Sequence, residues 1–264
     1  MEPVLIEVCV DSVASAIAAE RGGAARVELC SDLLEGGITP SAGLIATVRS
    51  KISIGLHPII RPRPGDFCYS KEEIEIIRRD IEIAKDLGAD GVVLGILDPE
   101  GNVNVERTRE LVELARPLST TFHRAFDMSS DLLRALESVC QTGADRILTS
   151  GGEQTSLEGI DAIASLVRAA QGRVAIMAGG GIGHKDAPAI IERTGVQEIH
   201  VGLSSSVESS MRYRNPKVSI SRAPGREYER VQVLEEDVRT LHVAISSTNR
   251  RGAKQFASDA STPR

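Results

Sequence analysis

Two short runs repeat one pairing of acid and thiol. "IEVCVDS" covers Ile6 to Ser12 and "VELCSDLLEGG" covers Val27 to Gly37. Each contains Glu-x-Cys, so Glu7 and Cys9 are matched 21 residues later by Glu28 and Cys30. On a strand, alternate residues share a face, so each Glu would point the same way as its Cys. Two thiols brought to one place form a soft site. Such a site selects Cu(I) over hard cations, and a low-coordinate soft ion needs few ligands. The alternative is that two small residues fill a core layer, since free Cys is often buried and inert. The spacing is not that of a zinc motif. Glu7 and Glu28 would raise the thiol pKa values, whereas Arg61 and His123 would lower them.

A second group of residues has the types needed for acid–base work. "IIRPRPGDF" supplies Arg61 and Arg63, and "TFHRAFD" supplies Thr121, His123 and Asp127. His123 suits a general acid or base, with Glu28 or Asp127 as a second proton carrier. Arg61 suits a two-pronged grip on a carboxylate or phosphate. The same residues also suit a charge-compensated network with no catalytic role. In "AGGGIG", the backbone N–H groups of Gly179, Gly180 and Gly181 suit a phosphate cradle, or simply a tight turn needing positive φ. Cys68 and Cys140 read as bland, the latter as core. His184 and His242 read as surface or packing residues, and His200 as a strand residue able to face inward. The four Met residues form no MxxM cluster.

These residues need elements to position them. Eight strand-like runs are expected, at 4–10, 25–30, 55–61, 90–97, 119–125, 145–150, 173–179 and 197–202. Helical periodicity fills 12–21, 41–51, 71–87, 105–116, 129–142, 156–170 and 184–194, as in Ile74, Ile77, Ile81 and Ala84. Gly-Ala pairs at 23–24, 88–89 and 143–144 mark helix ends. Strand–helix alternation implies parallel strands with crossover helices. Eight units predict a single-domain α/β fold, the TIM (β/α)8 barrel, over 1–246; a doubly wound open sheet is the runner-up. Beyond the eighth strand the chain reads as irregular over 204–230, then as one extra helix over 231–246. The polar stretch 247–264 reads as a frayed tail.

In such a barrel, chemistry gathers at the C-terminal strand ends. Ile6, Val8 and Val10 would face the helices while Glu7 and Cys9 point inward. Val27 and Leu29 would face out while Glu28 and Cys30 point in. Strands about 4.8 Å apart would then bring the two sulfurs together.

The chain has 264 residues, 41% hydrophobic and 26% charged, with a net charge of -6. That balance argues against a nucleic-acid partner, which needs a basic patch. No apolar run approaches the ~20 residues of a membrane span. Four cysteines without scaffold spacing, and no leader-like N-terminus, point to a cytoplasmic protein with reduced thiols.

The stretches "EVCVDS", "ERGGAARVELCSDLLEGGITPSAG", "IRPRPGDF", "TFHRAFD", "ILTSGG", "GGGI" and "MRYRN" run in order from Glu7 to Asn215. As a series they resemble the CutC copper-homeostasis family. The resemblance implies a TIM barrel in a cytosolic, often homo-oligomeric protein, with nuclear access open to it, and a copper ion as partner. It also implies Cu(I) held by Cys9 and Cys30. The chain departs from the family pattern at Pro64 and Cys68. It departs again in "HVGLS", where Gly202 and Ser204 replace a Ser and an Arg. Two functions are therefore expected of one pocket. The first is Cu(I) binding at Cys9 and Cys30, with Glu7, Glu28, Arg61 and His123 around them. The alternative is an isomerase- or lyase-type enzyme on a small anionic or phosphorylated metabolite, using Glu28, Arg61, His123 and Asp127.

Overall fold

A computed structural model describes residues 3–219 and 227–246. Eight strands alternate with seven helices: β1 Leu5–Val10, α1 Val13–Gly22, β2 Arg26–Leu29, α2 Ala42–Arg49, β3 Gly55–Pro58, α3 Lys71–Asp86, β4 Gly91–Leu94 and α4 Val105–Ala115. The series continues with β5 Ser119–Phe122, α5 Leu132–Thr142, β6 Arg146–Thr149, α6 Ile160–Ala170, β7 Ala175–Gly179, α7 Ala187–Thr194 and β8 Glu198–Val201. All neighbours in the sheet are parallel, in the order β3-β2-β1-β8-β7-β6-β5-β4. The remaining gap closes where Ile60 N–H donates to Val93 O (2.7 Å) and Ile59 bridges Val93 in parallel. The sheet is thus a (β/α)8 barrel, as the alternation predicts, and not the open runner-up.

Local chemistry sets the helix ends. Ser12, Ser41, Asn104 and Asp131 each accept an N–H from the first turn of the following helix, and Ser70 and Glu73 form a reciprocal box. Gly23, Gly88 and Gly143 all take positive φ at the predicted helix ends. Strand residues on the outer face are aliphatic and packed under the helices: Ile6, Val8, Val10, Val27 and Leu29 are all buried there.

The C-terminal extension differs from expectation. The stretch read as irregular contains an antiparallel pair, β9 Ser205–Glu208 with β10 Glu229–Gln232. The extra helix, α8, occupies 235–246. It buries Val238, Leu241 and Ile245 in the main core, each worth about 1.5–3 kcal/mol relative to exposure. It lies so close to α1 that a Cβ on Gly22 would sit 2.4 Å from the Val238 Cβ. The tail expected over 247–264 lies outside the described residues.

The inner face is unusually polar. Glu7, Arg26, Arg146 and Glu198 are all buried inside the N-terminal half of the barrel. Arg26 bonds both Glu7 and Glu198, the latter at 2.5 Å, and Arg146 grips Glu198 with two nitrogens. Two cations against two anions leave this ionic layer balanced, which buried charges require.

Candidate metal centre

Above the ionic layer, side chains from β1, β2 and β8 converge. Cys9 Sγ lies 3.7 Å from Cys30 Sγ. Cys30 Sγ lies 3.6 Å from Glu28 Oε2. One donor atom from each of these three residues falls within 4.8 Å of the other two. Glu28 and Cys30 are buried, and Cys9 is half-buried. His200 closes the group, with Nδ1 2.7 Å from Glu7 Oε1 and Nε2 3.7 Å from Glu28 Oε2.

The register explains how the thiols meet. Cys9 pairs with Glu28, so Cys30 lies two residues further along its chain. With strands about 4.8 Å apart and a rise of about 3.3 Å per residue, the two Cα atoms are roughly 8 Å apart. A disulfide usually needs about 4.4–6.8 Å. The backbones are therefore too far apart for an unstrained bridge, yet the sulfurs converge. Two metal–sulfur bonds of about 2.3 Å, meeting at roughly the tetrahedral angle, span such a gap. The donor set thus fits a soft ion held between two sulfurs, with the Glu28 carboxylate within reach as a further ligand.

The two thiols are not equivalent. The hydrogen bond from Cys30 lowers the Cys9 pKa from 9.0 to about 5, against burial and with further help from His200. The same bond, added to burial and the charges of Cys9 and Glu28, pushes Cys30 well above its usual value. Burial, then the Cys9 charge, raises the Glu28 carboxyl well above its ordinary range. Burial lowers the His200 imidazole, but the bond to Cys9 and the charges of Glu28 and Glu7 outweigh it and hold it protonated. Glu7 resists burial through His200 and Arg26 and stays ionised. The resulting order is an anionic Cys9 beside a cationic His200, with the thiol proton kept on Cys30. A soft cation finds one ligand already deprotonated.

The other expected site residues fall around this centre. Arg61 is buried, and its terminal nitrogens donate to the carbonyls of Glu35, Gly37 and Gly65, each at 2.8 Å. It ties the loop after β2 to the loop after β3. The two-pronged grip expected of it is thus spent on backbone. His123 is buried, and its Nδ1 accepts Ala125 N–H at 3.2 Å. Burial, then the Arg61 charge, lowers its pKa to about 3. Asp127 stands apart from the thiols as an organiser. It accepts the Thr149 hydroxyl (2.5 Å), the Ser150 and Gly152 N–H groups and the Arg124 guanidinium.

The glycine run turns with positive φ at Gly180 and Gly181. Gly179 serves packing: a Cβ there would meet Leu148 Cδ1 at 2.4 Å and His200 Cβ at 3.0 Å. It makes room for His200 inside the barrel. Cys68 Sγ donates to Leu97 O and stays outside the thiol cluster, and Cys140 packs half-buried on the core.

The CutC family model matches residues 4–205. The chain belongs to the CutC family. It is 49% identical over 216 residues to the copper homeostasis protein cutC homolog of Mus musculus, spanning 82% of this chain and 79% of that one. It is 43% identical over 241 residues to a family protein CutC of Chromobacterium violaceum, spanning 91% and 98%. The crystal structure of the CutC protein from Streptococcus agalactiae superposes with a TM-score of 0.71 at 34% identity, covering 75% of this chain and 97% of that one. A Rubisco-like protein from Rhodopseudomonas palustris, at 15% identity and a TM-score of 0.62, shares the barrel fold alone.

Sequence reasoning placed Cys9, Cys30 and Glu28 of this CutC family member on one inner face. It left His200 as a side remark, although the inward register of β8 in "EIHV" was the signal. Arg26, Arg146, Glu198 and His57 went unremarked. The alternation that put Glu28 inside also puts Arg26 inside, and would have found it.

Proposed function

We propose that this chain binds Cu(I) as cargo between the Cys9 and Cys30 sulfurs and serves copper homeostasis. The observation that carries the reading is the 3.7 Å sulfur separation on backbones staggered by two residues. That arrangement suits a shared soft ion better than a disulfide. Membership of the family, whose mouse and human members are described as copper homeostasis protein homologs, supports it. Cys9 is the thiolate that meets the ion first, and Cys30 loses its proton on ligation. Glu28 and His200 hold that proton inventory, and Glu7 holds His200. We place the protein in the cytosol as a homo-oligomer, a setting in which four unpaired cysteines stay reduced. Among the described residues, no helix is long and apolar enough to cross a membrane.

Asp127 and His123 do not favour the enzyme reading. Asp127 is saturated with hydrogen bonds, and a His123 pKa near 3 suits no proton transfer at neutral pH. The test is anaerobic Cu(I) titration against a competing chelator. Wild type should hold one Cu(I) that the Cys9→Ser/Cys30→Ser variant releases. Equal retention by both would end the proposal.

A further inference from the structure

A single ion does not account for the space around it. Cys9 and His200 open into a cavity of about 340 Å³ at the barrel mouth. It adjoins a groove of about 900 Å³, and the two share Gly36, Arg61, Phe67 and Arg124 along their walls. These volumes are those of sites for small organic molecules, typically about 300–1,000 Å³.

Two buried groups on the cavity wall lack what their chemistry needs. Arg61 is 5% exposed, and no carboxylate among the described residues lies within ion-pair distance of it. Its terminal nitrogens meet only neutral carbonyls, so its charge is buried without an opposite charge. His123 is 4% exposed, and its Nε2 has no hydrogen-bond partner. Because Nδ1 accepts the Ala125 N–H, the neutral ring carries its proton on Nε2. The Nδ1 edge packs so tightly on Gly95 that a Cβ there would lie 2.5 Å away. His123 lines the cavity, with Nε2 buried in its wall. Phe67 touches both, its ring tilted 54° against the His123 ring at 4.9 Å and 5.1 Å from the Arg61 guanidinium carbon. An unsatisfied buried donor costs about 1–3 kcal/mol.

We propose that the barrel mouth binds a small organic carboxylate, whose oxygen accepts the His123 Nε2 proton and whose charge offsets Arg61. Leu33, Ile59, Phe67 and Leu148 line the same cavity and receive the apolar body of the ligand. A carboxylate fits better than a phosphate. Two unpartnered donors, His123 Nε2 and Arg61 Nε, beside one buried charge match the two oxygens of a monoanionic carboxylate, whereas the terminal Arg61 nitrogens that a phosphate would also use are taken by carbonyls. The Arg124 Nε and one terminal nitrogen are likewise engaged by Asp127 and Ser150. A Cβ at Gly202 would meet nothing within 4 Å, which keeps the side of the cavity near His200 open. The groups that hold this ligand, His123 and Arg61, are not members of the thiol cluster, although Cys9 lines the same cavity.

The test is calorimetric titration of the reduced, metal-free full chain with citrate, reduced glutathione and inorganic phosphate. At least one of the two carboxylates should bind saturably, and more tightly than phosphate. His123→Phe keeps an aromatic ring beside Phe67 and should weaken that binding about tenfold or more, the loss of one hydrogen bond to a charged group. His123→Phe should leave Cu(I) retention intact while it weakens carboxylate binding, so failure of either reading shows separately. Should the His123 variant fold poorly, the Nε2–H resonance of His123 in wild type must shift on adding the bound carboxylate. The proposal is overturned if neither carboxylate binds, if phosphate binds as well, if the variant binds like wild type, or if that resonance is unmoved.

Discussion

At the scale of single residues, the centre depends on making one of two neighbouring thiols an anion. Cys30 donates to Cys9, and His200 stabilises the resulting charge. Alkylation of Cys9 by iodoacetamide should therefore switch on as pH rises through about 5, far below the 9.0 of an ordinary thiol. His200→Ala should move that midpoint upward. A midpoint near 9 in wild type would show that the thiolate is not held. Because Cys9 is already ionised at pH 7, loading Cu(I) should release about one proton rather than two. The thiol pair was legible because the period-two alternation of "IEVCV" and "VELC" sends acid and thiol the same way. The ionic layer was not, because Arg26, Arg146 and Glu198 sit at strand starts, where a charge reads as loop. Their compensation comes from strands distant in sequence: Arg26 meets Glu198 across 172 positions.

At the scale of elements, two joints hold the mouth. Asp127, just past β5, collects the Thr149 hydroxyl and the Ser150 and Gly152 N–H groups at the end of β6. Asp127→Ala strands those donors and should cost about 2 kcal/mol or more, read from urea denaturation. No pattern in "TFHRAFD" announces this, because its partners at Thr149, Ser150 and Gly152 lie more than 20 positions away. The second joint is α8 on α1. Gly22→Ala forces a Cβ against Val238 and should cost about 1–3 kcal/mol by overpacking. An unchanged urea midpoint would mean that α8 does not pack there. The helix itself was legible from its spaced apolar residues. The β9–β10 pair was not: "SSVE" and "ERVQ" carry little apolar alternation, and their partnership spans 21 or more positions.

At the scale of the whole molecule, the barrel encloses more polar groups than an aliphatic core would. That choice has a signature in pH. Burial lowers the His57 pKa from 6.5 to about 4, with Glu7, Arg26, Arg146 and Asp90 acting on it. Between those values the unfolded chain binds a proton that the folded chain refuses, so stability falls as pH drops from about 6.5 to 4. The loss from His57 is at most about 3 kcal/mol. His200 acts oppositely and at higher pH: its raised pKa contributes stability that is fully present below about 6.5 and is lost as pH rises through the folded-state value. Denaturation of wild type and His57→Leu across this window should show the flatter profile in the variant. Parallel profiles would mean that His57 is not buried as a neutral ring. The barrel itself was the most legible feature, since eight strands alternating with seven helices in 202 residues leave few other ways to close a parallel sheet. Strand lengths were overestimated by one to four residues, because the inward-pointing mouth residues continue the apolar alternation after the ladder ends.

The account rests on two sulfurs sharing one soft ion. X-ray absorption at the copper edge of the Cu(I)-loaded chain reads that directly. Two sulfur neighbours at about 2.3 Å, lost in the Cys9→Ser/Cys30→Ser variant, are the predicted result. A first shell of oxygen and nitrogen alone, or a spectrum unchanged by the variant, would contradict it.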